Sequence, residues 1–283
     1  MAIFYDNQGN TINVGGGSTT TTIIQSGASA APQIMRGISH RGYNIEAPEN
    51  TIPAYILSKE KGFDYAECDV SFTSDGVAVL LHDATIDRTS DGSGTISNMT
   101  YEEVLQYDFG SWKSSKYAGT KIPTFKEFIK VCKDIQLHPY IELKDDGGYT
   151  EEQIKSIVDI VKENGMRGNV TYLSFNIDYL NYVKDADNTA RLAYVVRDIS
   201  VSIINQALLL KTGKNDVNLM CQYGSLTDEK VKMCISTDIP LEVWCPNDVS
   251  WIENMNPYIT GVTSDKLNAE KVLLQKHITE EVG

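Results

Sequence analysis

From about residue 34 onward, short apolar runs alternate with stretches whose apolar residues recur at helical spacing. Strands are predicted at 35–41, 65–72, 77–82, 138–144, 169–175, 190–196, 217–222, 240–245 and 259–264. Most of these runs are apolar nearly throughout, as expected of strands covered on both faces. The clearest predicted helix is 151–163, where Ile154, Ile157, Val158 and Val161 share one face. Thr150 with Gln153 makes a capping box for it, and Thr100 with Glu103 makes another before Val104 and Leu105. Further helices are predicted over 51–61, 123–134, 177–186, 200–211, 227–235, 248–254 and 266–276. Strands alternating with helices form βαβ units and a parallel sheet. With 77–82 taken as an antiparallel partner or an extension of 65–72, the pattern fits a closed (β/α)8 TIM barrel better than an open sheet. No G-x-G-x-x-G follows the first strand, so nothing points to a dinucleotide site.

Two segments break the rhythm. Residues 84–122 are rich in Asp, Ser, Thr and Gly but carry Tyr107, Phe109, Trp112 and Tyr117. They are expected to form an insertion after the second strand, packed as a cap beside the barrel mouth. Residues 1–33 form an N-terminal extension ahead of the barrel of 34–283. Ile3–Tyr5 and Thr11–Val14 flank a turn-rich stretch and predict a small hairpin. The Gly, Ser and Thr run that follows reads as a linker, or as a segment for attachment or homo-oligomerisation.

A chain of 283 residues is long enough for one such barrel, which takes about 250. The formal charge of −13 argues against a nucleic-acid partner, which would require a basic stripe. It suits instead a hard cation among acidic groups. No run approaches the roughly 18 apolar residues of a membrane span. Met1–Asp6 lacks the features of a secretory signal, so a cytoplasmic location, or a place in a larger surface or phage assembly, is expected. The five cysteines include no C-x-x-C pair and are expected to be reduced, buried small hydrophobes.

Catalytic groups of a barrel lie at the C-terminal ends of its strands. The first strand ends in His40-Arg41-Gly42: an acid–base group, a planar fork suited to phosphate oxygens, and a residue that permits a tight turn. A surface basic loop would read the same way. Glu67 and Asp69, two apart on a strand, face one side with Cys68 turned away. Two acids inside an apolar strand require ion-pair partners or a bound cation. The run 77–81 delivers His82-Asp83, either a catalytic imidazole or a loop cap. Glu142 and Lys144 share a face, as a plain ion pair or as the completion of the metal site with a cation for substrate. His138 starts its strand and His277 lies near the C-terminus, so both are given structural or solvent roles. Two imidazoles, two cations and three carboxylates at successive strand ends suit phosphodiester cleavage.

Several motifs stand in this order: His40-Arg41-Gly42, Pro48-Glu49-Asn50-Thr51, Glu67-Cys68-Asp69-Val70, Thr73-x-Asp75-Gly76, His82-Asp83, Arg88-Thr89, Ile122-Pro123-Thr124 and Ile141-Glu142-Leu143-Lys144. In them the chain resembles the glycerophosphodiester phosphodiesterases over about residues 36–144, and more loosely through Ser174-Phe175, Val243-Trp244 and Gly261-Val262-Thr263-Ser264-Asp265. The resemblance implies His40 and His82 as the acid–base pair. It implies Glu67, Asp69 and Glu142 as ligands of Ca2+ or Mg2+, and Arg41 and Lys144 as phosphate holders. Trp244 would pack against glycerol, and Asn50 would orient groups near the metal. The substrate would be a small glycerophosphodiester, split into glycerol 3-phosphate and an alcohol. The sequence departs from the family at Trp244-Cys245-Pro246-Asn247 and in the 261–265 segment. Those departures bear on substrate choice. A phospholipase-like barrel acting on lipid, a teichoic-acid-like glycerol phosphate polymer as substrate, and a non-catalytic glycerol-phosphate-binding module stand as alternatives.

Overall fold

A computed structural model of the chain describes residues 33–211 and 213–282, with residues 4–5, 11–12 and 23–24. In chain order the strands are β1 (Arg36–Ser39), β2 (Tyr65–Phe72), β3 (Ala78–Leu80), β4 (His138–Leu143), β5 (Thr171–Ser174), β6 (Arg191–Val196), β7 (Val217–Gln222), β8 (Leu241–Trp244) and β9 (Ile259–Ser264). All but β3 are parallel to their neighbours, and the sheet closes: β9 pairs with β1, and β1 with β2. The result is an eight-stranded parallel barrel with one added strand. β1 meets β2 only at Ile38↔Tyr65 and Ser39↔Ala66. β3 then returns antiparallel along the further stretch of β2, with Val70↔Leu80 and Phe72↔Ala78. That added strand carries the chain back to the barrel mouth and delivers His82 there.

The outer helices are α1 (Ile52–Glu60), α3 (Phe125–Asp134), α4 (Glu151–Glu163), α5 (Ile177–Ala186), α6 (Val201–Leu210), α7 (Asp228–Thr237), α8 (Val249–Glu253) and α9 (Ala269–Val282), with the short α2 (Tyr101–Val104) inside the insertion. Both predicted capping boxes form, and Thr124 with Glu127 makes a third before α3. Each satisfies backbone donors that the first helical turn leaves open. The main core lies between strands and helices and contains Cys68, Val70, Ile141 and Leu143, the residues that alternate with the inward-facing acids. The barrel interior holds a smaller cluster of Ile38, Tyr140, Leu173, Ala193, Val195 and Met220.

The 84–122 segment has a core of its own, in which Ile86, Ile96, Val104, Phe109 and Ile122 pack on Val79 and Leu81. Aliphatic residues do most of this packing. Of the expected aromatics only Phe109 is buried, and Trp112 is exposed, with its Nε1–H donating to the Phe109 carbonyl at 3.0 Å. Four cysteines are buried as expected, but Cys245 is only partly so: its strand end faces the mouth rather than the core. Phe4–Tyr5 pairs antiparallel with Thr11–Ile12 where a hairpin was predicted, and Ile23–Ile24 pairs with Gln33–Ile34. The attachment or oligomerisation role expected of residues 1–33 otherwise lies outside the described residues. Among the described residues no helix is long and apolar enough to cross a membrane.

Candidate active site

The site begins at the tight loop after β1. Gly42 has φ +78°, and a Cβ there would stand 2.7 Å from the Ala54 Cβ, so glycine is needed both for the turn and for the close approach of α1. Arg41 and Asn50 also adopt left-handed backbone, φ 56° and 55°, and the Asn50 N–H donates to the Arg41 carbonyl at 3.0 Å. Non-glycine residues hold such conformations where the surroundings fix them, often at functional sites. Here the result is that the Arg41 N–H donates to Glu67 Oε2 at 2.9 Å, while its side chain lies between Glu49 (2.9 Å) and Asp69 (3.2 Å).

Glu67 and Asp69 on β2 meet Glu142 on β4, because the register sets Asp69 opposite Glu142. Glu67 and Asp69 are 2 % and 1 % exposed, and one oxygen from each of the three acids falls within 4.8 Å of the others. Asn50 holds Asp69 through its amide (2.8 Å) and is itself held by the Tyr55 hydroxyl (2.9 Å). Glu67 Oε1 and Asp69 Oδ1 are buried with no hydrogen-bond donor among the described residues, although Lys144 Nζ stands 3.7 Å from the latter. Burial, then Asp69, then Glu142 hold the Glu67 carboxyl well above the usual carboxylate range. Burial and Asp69 push Glu142 up to about 7. Burial acts the same way on Asp69, but Arg41, His82 and Lys144 outweigh it and keep Asp69 ionised. Fully ionised, the three acids would carry more negative charge than Arg41 and Lys144 balance, which is why Glu67 and Glu142 are held in the protonated direction. That mismatch, with two donorless oxygens, fits an oxygen-ligated divalent cation.

Two imidazoles flank the carboxylates. His40 Nδ1 lies 2.7 Å from Asp265 Oδ1, and His82 Nδ1 lies 2.6 Å from Asp83 Oδ1. An acid facing Nδ1 selects the tautomer protonated there and leaves Nε2 for chemistry. Each acid is anchored in turn. Asp265 accepts from the amides of Asn44 (2.8 Å) and Asn247 (2.8 Å). Asp83 accepts from Arg88 Nε at 2.7 Å, and Arg88 continues to Glu49 at 2.7 Å. Both acids are held far below the usual range, Asp265 first by His40 and Asp83 first by Arg88. Burial lowers the His82 pKa, against the pull of Asp69.

A cavity of about 390 Å3 at the mouth is lined by His40, Arg41, Glu67, His82, Glu142 and Lys144, and on its far wall by Phe175, Arg197 and Trp244. All the predicted site residues line this cavity except Asp69 and Asn50, which support it from beneath. Phe175 meets the Trp244 ring edge-on, centroids 5.8 Å apart, and Arg197 lies over Phe175 at 5.6 Å. Trp244 Nε1 and Thr263 Oγ1 are buried without partners among the described residues. Sequence reasoning gave no role to Asp265, Asn44, Asn247, Glu49, Arg88 or Arg197. Asp265 was open to detection as an acid directly after the end of β9.

Residues 40–268 match the glycerophosphoryl diester phosphodiesterase family. The chain belongs to that family. It is 31 % identical over 233 residues to a glycerophosphodiester phosphodiesterase of Caldanaerobacter subterraneus subsp. tengcongensis, over 81 % of this chain and 93 % of that one. The structure of an Oleispira antarctica phosphodiesterase in complex with the product sn-glycerol-3-phosphate aligns at TM-score 0.77 and 28 % identity, over 86 % of this chain and 96 % of the other. A glycerophosphodiester phosphodiesterase from Agrobacterium tumefaciens shares the fold at TM-score 0.70 and 22 % identity, over 85 % and 99 % of the two chains. As a glycerophosphoryl diester phosphodiesterase, the protein is an enzyme of the phosphoric diester hydrolase class.

Proposed function

We propose that the enzyme hydrolyses glycerophosphodiesters to glycerol 3-phosphate and an alcohol, with a divalent cation on Glu67, Asp69 and Glu142 and with His40 and His82 as the acid–base pair. One observation carries the reading: three converging carboxylates, of which Glu67 and Asp69 each have a donorless buried oxygen, lie beside two imidazoles whose Nδ1 atoms are both tied to acids. A bound Ca2+ or Mg2+ supplies Lewis-acid charge beside a phosphate oxygen.

The chain's own groups do the rest. Lys144 and Arg41 present cationic donors to the anionic phosphoryl group. One imidazole takes a proton at Nε2 from the attacking oxygen as the new P–O bond forms; that oxygen belongs to a water, or to a substrate hydroxyl whose cyclic phosphate product a water then opens. The other, starting as the imidazolium with protons on both nitrogens, gives its Nε2 proton to the departing alcohol oxygen as the old P–O bond breaks. Asp265 and Asp83 hold the rings in register for these transfers. Trp244 and Phe175 offer an apolar wall for the glycerol carbons.

The test is glycerol 3-phosphate release from glycerophosphodiesters in chelator, in Ca2+ and in Mg2+. Release lost in chelator and restored by one cation is the expected result. Release that a strong chelator leaves untouched would remove the metal role of the three carboxylates.

A further inference from the structure

A second cavity, about 330 Å3, opens against the same two residues from another side: His82 and Lys144 line it as well as the first. Its walls come from the end of β2 (Ser71), the residues just after it (Thr73, Ser74), the insertion (Thr95, Ser97) and the loop after β4 (Asp146, Gly147). A phosphodiester has two arms. With the phosphate at Lys144 and His82 and one arm against Phe175 and Trp244, this cavity is where the other arm has room.

We infer that this second cavity seats the leaving alcohol and that its chemistry selects a neutral polyol, such as glycerol or a cyclic polyol, over a quaternary ammonium alcohol. The inference rests on the hydrolase reading above and names its substrate class. Hydroxyl groups dominate the wall. Ser71 and Thr73 use their hydroxyl protons internally, on the Leu81 carbonyl at 3.0 Å and Asp75 Oδ1 at 2.6 Å, and Thr73 Oγ1 also accepts from the Val77 N–H at 3.0 Å, so toward a ligand Ser71 presents lone pairs and Thr73 at most one. Ser74 and Ser97 add two exposed hydroxyls, and the carboxylate of Asp146 is offset by the ammonium of Lys144 on the same wall, so the wall has no net negative charge to favour a cation. Such a wall offers both donors and acceptors to several hydroxyls. A trimethylammonium group instead seeks exposed aromatic faces. The aromatics here are closed to it. Tyr149 is buried beneath Gly147, where a Cβ would lie 2.2 Å from the ring, and its hydroxyl is bonded to the Val70 carbonyl. Phe72 is buried edge-on against that same ring. The position of His82 between the cavities makes it the imidazole that faces the departing oxygen.

The test compares kcat/KM for glycerophosphoglycerol and glycerophosphocholine, at saturating cation, in the wild type and in Ser74→Leu and Ser97→Leu. Both serines are exposed, and folding is checked by circular dichroism. The wild type should favour the glycerol ester by about tenfold or more, and each substitution should bring that ratio close to one. Equal use of the two esters by the wild type, or a ratio that neither variant changes, would overturn the subsite while leaving the hydrolase reading intact. No turnover of either ester with any cation would overturn both.

Discussion

The two ends of the barrel each have a cavity and a buried acid inside a strand, yet only one end is built for chemistry. At the N-terminal end a cavity of about 310 Å3 is lined by Arg36, His138, Tyr140, Arg191, Lys211 and Asn218. The fully buried Glu242 sits above it, and one of its oxygens takes three donors: Arg36 (2.8 Å), the Tyr140 hydroxyl (2.9 Å) and the Asn218 amide (3.1 Å). Gly261 makes room for it, since a Cβ there would stand 2.9 Å from its Cδ. The second oxygen, Oε2, is buried with no partner among the described residues, so a bare oxygen occurs at this end too, but a lone carboxylate against one arginine is balanced in charge. At the C-terminal end three carboxylates share Arg41 and Lys144 and leave two oxygens bare. Concavity and buried charge are common to both ends, so it is the charge imbalance that marks the site.

The sharpest break in the comparison is the loss of an imidazole at the mouth. His40→Ala and His82→Ala should each lower kcat by about 100- to 10,000-fold. A loss below tenfold in both would end the acid–base assignment. Asp265→Asn should be milder. It keeps the shape but removes the charge that selects the His40 tautomer, and the expected loss is about 10- to 100-fold, the range for removing an acid that orients a metal-bound imidazole. The loss should appear in kcat more than in KM, which separates positioning from substrate binding.

At the other end, Glu242→Gln should leave kcat close to wild type. It should lower the unfolding free energy in urea by about 2 kcal/mol, because charged hydrogen bonds to a buried acid are lost. A large drop in kcat with unchanged stability would erase the contrast between the ends. The smallest effect concerns His138, which shares that end. Burial first, then Arg191 and Arg36, lower its pKa from 6.5 to about 3. The unfolded chain therefore binds the proton more readily between these values. The stability linked to this group is complete above pH 6.5 and is lost as pH falls toward 3. His138→Gln should flatten the fall in unfolding free energy between pH 7 and pH 4.5, and an unchanged slope would contradict the assignment.

Much of this contrast was legible in the chain. The period-two spacing of Glu67 and Asp69, with Cys68 turned to the core, gave two of the three carboxylates directly. Depth along a strand also separates the ends: Glu142 is fifth of six residues in β4, whereas Glu242 is second of four in β8. The supporting acids were less legible. Asp265 lies 225 residues from His40, and only barrel closure through the β9–β1 pairing makes them neighbours. The Asp83–Arg88–Glu49 chain depends on how the insertion folds back, which no local periodicity encodes. Asn247 stood in the departing Trp244–Asn247 segment, where it bore on substrate choice, and it proves to brace Asp265.

The central claim is that the mouth carboxylates hold a divalent cation and Glu242 does not. Calorimetric titration of Ca2+ and of Mg2+ into chelator-treated protein tests it most directly. The account predicts one site for at least one of these ions, lost in Glu67→Gln and Glu142→Gln and kept in Glu242→Gln. Absence of binding to the wild type, or binding that survives both mouth substitutions, would contradict it.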